Sequence, residues 1–132
     1  TMTYLESISN NIKGEFPDEF KNLSNLRTLV FAFNQLSGSL PTWLTSLPKL
    51  EFLYLSNNMF TGELPTGFQK LEELTVLGLD DNSLTGSMDA LWELPKLEYL
   101  YLEDNGFSGS LPDSFVTTSP LLKNLDLSTN KM

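Results

Sequence analysis

Leu50 to Pro65 reads LEFLYLSNNMFTGELP, and its skeleton returns along the chain at intervals of 23 to 25 residues. That skeleton is a Leu at the first, fourth and sixth places, an Asn at the ninth, then an apolar residue, a Gly and a Leu-Pro. A period in this range predicts a solenoid, in which each unit buries its apolar face against its neighbours.

Units are read at residues 2–25, 26–49, 50–73, 74–96 and 97–121, with a partial sixth at 122–132. The first is the most degraded, with Ser7 where a Leu is expected. The fourth is one residue short and carries Asp89 in place of the Pro. The fifth is one residue long, with VTTSP inserted after Phe115. No linker interrupts them, so one repeat domain is expected over 1–132. Thr1 already lies against a repeat and Met132 falls inside one, so the expectation is an excerpt of a longer chain.

Each unit opens with alternating apolar residues, such as Leu53 and Leu55, the period-two signature of a strand. Stacked units must then set these strands side by side in a parallel sheet, about 4.8 Å apart. The column Asn10, Asn34, Asn58, Asn82, Asn105 and Asn130 is expected to face inward. There it can bond backbone groups where the chain leaves the strand. The column Gly14, Gly38, Gly62, Gly86 and Gly109 suits a turn with positive φ. Pro17, Pro41, Pro65 and Pro112 mark the start of a short convex helix or 3-10 turn, over an inner column of Phe20, Leu44, Phe68, Leu91 and Phe115.

These residues carry a resemblance. The consensus LxxLxLxxNxLxGxLPxxLxxLxx resembles the plant-specific type of leucine-rich repeat, found in ectodomains of receptor-like kinases and receptor-like proteins and in polygalacturonase inhibitors. The likeness implies an α/β repeat solenoid: a right-handed superhelix with a concave parallel β-sheet and short convex helical or 3-10 turns. It also implies a second short sheet at the LxG segment. It implies binding rather than catalysis, an extracellular or membrane-anchored location, and no cofactor. The chain departs from the plant receptors in lacking paired-cysteine caps, which lie outside the excerpt or are absent from a source that uses the repeat differently.

Composition narrows the partner. A net charge of −9 and a pI near 4.3 argue against nucleic acid or an anionic membrane, both of which need a basic footprint. The chain has no cysteine and no histidine. Zinc sites built on those ligands, cysteine nucleophiles and Ser-His-Asp triads are thereby excluded. No apolar run approaches the roughly 18 residues that span a membrane. A protein or peptide partner, of basic character or a glycan as further options, is what remains.

Specificity must lie in the strand residues between the scaffold positions, which face the concave surface. The third strand place gives Tyr4, Thr28, Phe52, Val76, Tyr99 and Asn124; the fifth gives Glu6, Val30, Tyr54, Gly78, Tyr101 and Asp126. Phe52 and Tyr54 lie on one side of the fourth unit and Tyr99 and Tyr101 on the other, with Val76 and Gly78 as a low floor. Two strand spacings predict an aromatic slot roughly 10 Å wide. The seventh and eighth places add Asp80, Asp81, Glu103 and Asp104 as an acidic rim that would draw Lys or Arg of a partner. The ten residues from Phe52 to Asp104 named here are the candidate ligand contacts. The bland alternative is that the aromatics only pair across neighbouring strands.

Other chemistries fit less well. The carboxylates lack the spacing of a calcium loop, and adjacent Asp80 and Asp81 cannot both point inward. Glycoside hydrolysis needs one desolvated carboxyl, which an open concave face does not supply. No phosphate loop is present. Asn22-Leu23-Ser24 is an N-glycosylation sequon on the convex side. Trp43 and Trp92 fall in the convex turns, either covering apolar surface or anchoring a lateral partner. The sequence thus reads as a non-catalytic recognition module, with an assembly subunit wedged into a larger complex as the other reading.

Overall fold

The computed structural model describes residues 1–132, the side chain of Val116 excepted. Six short strands form one parallel sheet in chain order: β1 (Tyr4–Glu6), β3 (Thr28–Val30), β5 (Phe52–Tyr54), β7 (Val76–Gly78), β9 (Tyr99–Tyr101) and β11 (Asn124–Asp126). Five more build a second parallel sheet at the LxG segments: β2 (Lys13–Gly14), β4 (Gln35–Ser39), β6 (Met59–Gly62), β8 (Ser83–Ser87) and β10 (Gly106–Ser108). The return segments are 3-10 turns at Asp18–Asn22, Thr42–Ser46, Phe68–Lys70 and Asp89–Glu93, and a one-turn helix α1 at Phe115–Thr118. This is the leucine-rich solenoid that the period predicted.

The register is the one read from the sequence. Tyr4, Thr28, Phe52, Val76, Tyr99 and Asn124 are successive partners, and so are Glu6, Val30, Tyr54, Gly78, Tyr101 and Asp126. Between them the Leu column points inward, with Leu29, Leu53, Leu77 and Leu100 wholly buried. Each such burial contributes about 1.5–3 kcal/mol. Leu5 and Leu125, on the two outermost strands, are only half-buried because a neighbour covers one side alone.

The Asn column joins the units. Asn82 shows the pattern: its Oδ1 accepts from the Phe60 N–H of the preceding unit at 3.0 Å. Its Nδ2 donates to the carbonyls of Leu55, Leu79 and Asp80 at 3.0–3.2 Å, the first again in the preceding unit. Asn34, Asn58, Asn105 and Asn130 repeat it. Lys96–Glu73 and Lys123–Glu98 ion pairs, both at 2.7 Å, also link adjacent units. These are solvated and contribute little.

Two local details differ from expectation. The prolines stand one residue before the helical turn, as at Pro17 and Pro41, where φ is −63° and −69° and ψ is near 140°. Extended ψ there turns the chain into the 3-10 segment while the Pro carbonyl accepts its first bond. In the third unit Gly67, with φ +90°, takes that place instead, two residues after Pro65. The eighth place is also not a simple rim position. Ser9, Phe33, Asn57, Asp81, Asp104 and Thr129 all have φ between 50° and 57°. This left-handed step swings the chain so that the following Asn turns inward, and it costs about 1–2 kcal/mol where a bulky residue such as Phe33 makes it.

Asn82→Ala is expected to cost about 3 kcal/mol, because unsatisfied buried donors and acceptors cost about 1–3 kcal/mol each. Asn124→Ala, an exposed strand position, should change stability by less than about 0.5 kcal/mol. Urea denaturation of the two variants checks this, and equal effects would contradict the ladder.

Candidate ligand-binding face

The sheet places all ten candidate residues on or beside its open face. In the third-place column Phe52 is 43% exposed, Val76 is half-buried and Tyr99 is half-buried. Lys123 extends over the Tyr99 ring, 5.8 Å from its centroid, while held by Glu98. This end of the face therefore carries a cation as well as the acids.

The fifth-place column overturns the open slot. Gly78 is buried under the Tyr54 ring, and a Cβ at Gly78 would lie 2.6 Å from Tyr54 Cε2. Freed of any side chain beneath it, Tyr54 lies down across the fourth strand. Its ring centroid comes within 6.2 Å of that of Tyr101, tilted by 58°. Two strand spacings set the backbone gap, but the phenol ring is long enough to close it. The result is a continuous aromatic platform, Tyr54 over Gly78 against Tyr101, with Phe52 standing at its edge.

The carboxylates divide by depth. Asp80 is 8% exposed and accepts a hydrogen bond from the Ser56 hydroxyl, itself 1% exposed. Asp81, in the left-handed step, points to solvent, as does Asp104. Glu103 is half-buried, and its Oε2 has no hydrogen-bond partner among the described residues. Burial pushes the Asp80 carboxyl above the usual range; the Ser56 bond opposes this, and Asp81 and Asp126 add to it. Burial likewise raises Glu103, with Asp80, Asp126 and Asp81 contributing. Tyr54 is raised by burial and by the nearby Asp80 charge. Asp126 is lowered, because the Ser128 hydroxyl and N–H donate to its Oδ1 at 2.6 and 3.0 Å. Among the described residues no three of these groups are arranged to hold a metal ion.

Two contributors were not singled out in the sequence. Ser56 and Asp126 stand in the seventh- and fifth-place columns, so asking which polar residues neighbour Asp80 and Glu103 in register would have found them. The convex tryptophans are buried and do not present an anchor. Trp43 packs edge-on against Phe16 and Phe20 at 5.8 Å, and Trp92 against Phe115 at 5.1 Å.

The sequence pattern of the leucine rich repeat family matches residues 7–60 and 65–107. The chain belongs to that family. Among solved structures, this leucine-rich-repeat chain is similar to PEPR1 in its complex with AtPEP1, at 32% identity and a TM-score of 0.93. That match covers 98% of this chain and 18% of the other. The Arabidopsis receptor kinase HAESA ectodomain, in complex with an extended IDA peptide hormone, is 33% identical over 98% of this chain and 22% of its own, TM-score 0.90. The ectodomain of the receptor kinase SOBIR1 from Arabidopsis thaliana is 34% identical over 96% of this chain and 68% of its own, TM-score 0.90. The chain thus spans about a fifth of the length of the first two. Curated protein sequences give no match.

The raised carboxyls set the sign of a pH effect. Asp80 and Glu103 hold protons in the folded repeat at pH values where the unfolded chain has released them. Stability therefore rises as pH falls from neutral through their folded pKa values, and levels off in the ordinary carboxylate range. Asp126 acts in the opposite sense, contributing stability above the ordinary Asp value that is lost below it. Asp80→Asn should raise the melting temperature at pH 7, and its advantage should shrink as pH approaches about 4. Thermal melts across that range test it; an advantage that stays constant would be contrary.

Proposed function

We propose that this chain is a non-catalytic recognition segment of a secreted or membrane-anchored receptor-like protein, and that it binds a peptide or protein strand across its concave sheet. The observation that carries the reading is the likeness, over nearly the whole chain, to the HAESA receptor-kinase ectodomain in complex with its IDA peptide hormone and to the plant peptide hormone receptor RGFR1 in complex with RGF2.

The contact set is Phe52, Tyr54, Val76, Tyr99 and Tyr101, with Gly78 beneath. Phe52 offers exposed apolar area, and the two phenol rings, tilted by 58° to one another, add aromatic surface beside it. Aromatic side chains of this kind lose little conformational entropy on binding. Tyr54 and Tyr101 form a platform on which a partner side chain rests, in place of a slot that it enters.

Asp80, Asp81, Glu103 and Asp104 give that partner its charge. A Lys or Arg placed over Glu103 would relieve the crowding of carboxylates around it and Asp80. Exposed Asp81 and Asp104 act at longer range and speed approach rather than hold the complex.

Panning a displayed random-peptide library against the chain tests the reading. Bound peptides should be enriched in Lys and Arg and should weaken with added salt. The double variant Tyr54→Ala/Tyr101→Ala should lose about tenfold or more in affinity, equivalent to about 1.4 kcal/mol. Peptides that bind the double variant as tightly as the native chain would overturn the concave-face assignment.

A further inference from the structure

Most asparagines of this chain are accounted for by the scaffold, and Asn22 is not. The column asparagines from Asn34 onward are committed through Oδ1 and Nδ2 to backbone groups of two units, Asn10 donates to Ser7 Oγ and the Ile8 carbonyl, and Asn25 accepts from Lys49 Nζ at 2.6 Å. Asn22 is the last residue of the first 3-10 turn and is exposed, and its carboxamide makes no hydrogen bond among the described residues. Two residues on, Ser24 is exposed as well, with its hydroxyl equally unpaired. Leu23 between them is half-buried against the core, so it fixes the segment while its neighbours face outward.

We propose that Asn22 is an N-glycosylation site, carrying one oligosaccharide on the convex side of the solenoid. The proposal rests on the secretory placement given under the proposed function. The sequence holds a single Asn-x-Ser/Thr triplet, Asn22-Leu23-Ser24, and its middle residue is not Pro. At the matching place the next three units carry Ser46, Lys70 and Glu93, each preceding a buried Leu. The position is thus one the repeat keeps at the surface, and only the first unit makes it an acceptor.

The transfer balances with a lipid-linked oligosaccharide diphosphate as donor. The bond between C1 of the first sugar and the diphosphate oxygen breaks, and a C1–Nδ2 bond to Asn22 forms. The displaced lipid diphosphate leaves, and one Nδ2 proton is released. Ser24 supplies the hydroxyl at the second position after the Asn that acceptor recognition requires.

The 3-10 turns and the six-stranded sheet lie on opposite sides of the Leu core, so a glycan at Asn22 extends away from Phe52, Tyr54 and Tyr101. It covers the convex turn of the first unit and leaves the concave face open. A partner that docks on the convex side of that unit is excluded by it.

The test is production of the full chain behind a secretory leader in a eukaryotic cell, followed by intact-mass measurement. The native chain should carry the mass of one oligosaccharide, removable by peptide-N-glycosidase. Asn22→Gln and Ser24→Ala should abolish it, and Ser24→Thr should retain it. A secreted native chain of unmodified mass would overturn the proposal, as would an increment that survives in Asn22→Gln. Because the exposed Asn22 carboxamide makes no hydrogen bond among the described residues, unglycosylated Asn22→Gln should melt with the unglycosylated native chain. Peptide binding measured on the same samples separates the two readings. A glycan without peptide binding sinks only the concave-face assignment, and binding without a glycan sinks only this one.

Discussion

Everything in this solenoid depends on how a chain that leaves a three-residue strand satisfies its backbone. At the turn the N–H groups and carbonyls can no longer pair within the sheet, yet they remain under the apolar column. The Asn at the ninth place supplies an acceptor and two donors at that point, as Asn58 does for Leu36 N–H and for the carbonyls of Phe31, Leu55 and Ser56. A single hydrogen bond adds only about 0.5–1.5 kcal/mol net, but a buried group left unpaired costs about 1–3 kcal/mol, so the ladder matters chiefly through what its absence would expose. The left-handed residue before each Asn is part of the same device, since it turns the carboxamide inward.

The ladder also fixes the sheet face at a distance. It binds each unit to the one before, so successive strands cannot slip, and the third- and fifth-place residues fall into straight columns. A slip of one residue would exchange the Leu column for the aromatic one. Only with that register held does Gly78 lie beneath Tyr54, and only then does Asp80 come to face Ser56 of the unit before. The scaffold tolerates crowded carboxylates whose pKa values it raises, a local cost that the stability of the columns around them sets in context.

Backbone order was legible in the sequence, because the period specifies which residue stands beside which. The strands, the register Phe52–Val76–Tyr99, the positive-φ glycines and the inward Asn column from Asn34 onward follow from spacing alone, whereas the Asn10 side chain, expected to face inward, is exposed and bonds only within its own unit. Side-chain posture was not legible. Whether the Tyr54 ring stands or lies depends on Gly78, 24 residues away in sequence, and on the reach of a phenol, which a column of letters does not carry. Asp80 and Asp81 look alike as neighbours, yet the left-handed step at Asp81 sends one inward and the other to solvent. The turn prolines show the same limit at smaller scale: each carbonyl accepts the same first bond, yet the helical residues begin directly after Pro17 and Pro41 and three places after Pro65 and Pro112.

Native-state hydrogen exchange at four amides tests the ladder most directly. The N–H groups of Leu36, Phe60, Leu84 and Phe107 donate to the side-chain oxygens of Asn58, Asn82, Asn105 and Asn130 in the following unit. If those carboxamides hold the units together, the four amides exchange as slowly as Leu55 and Leu79, which donate to backbone carbonyls of the next strand. Exchange as fast as that of the exposed 3-10 residues would contradict the account.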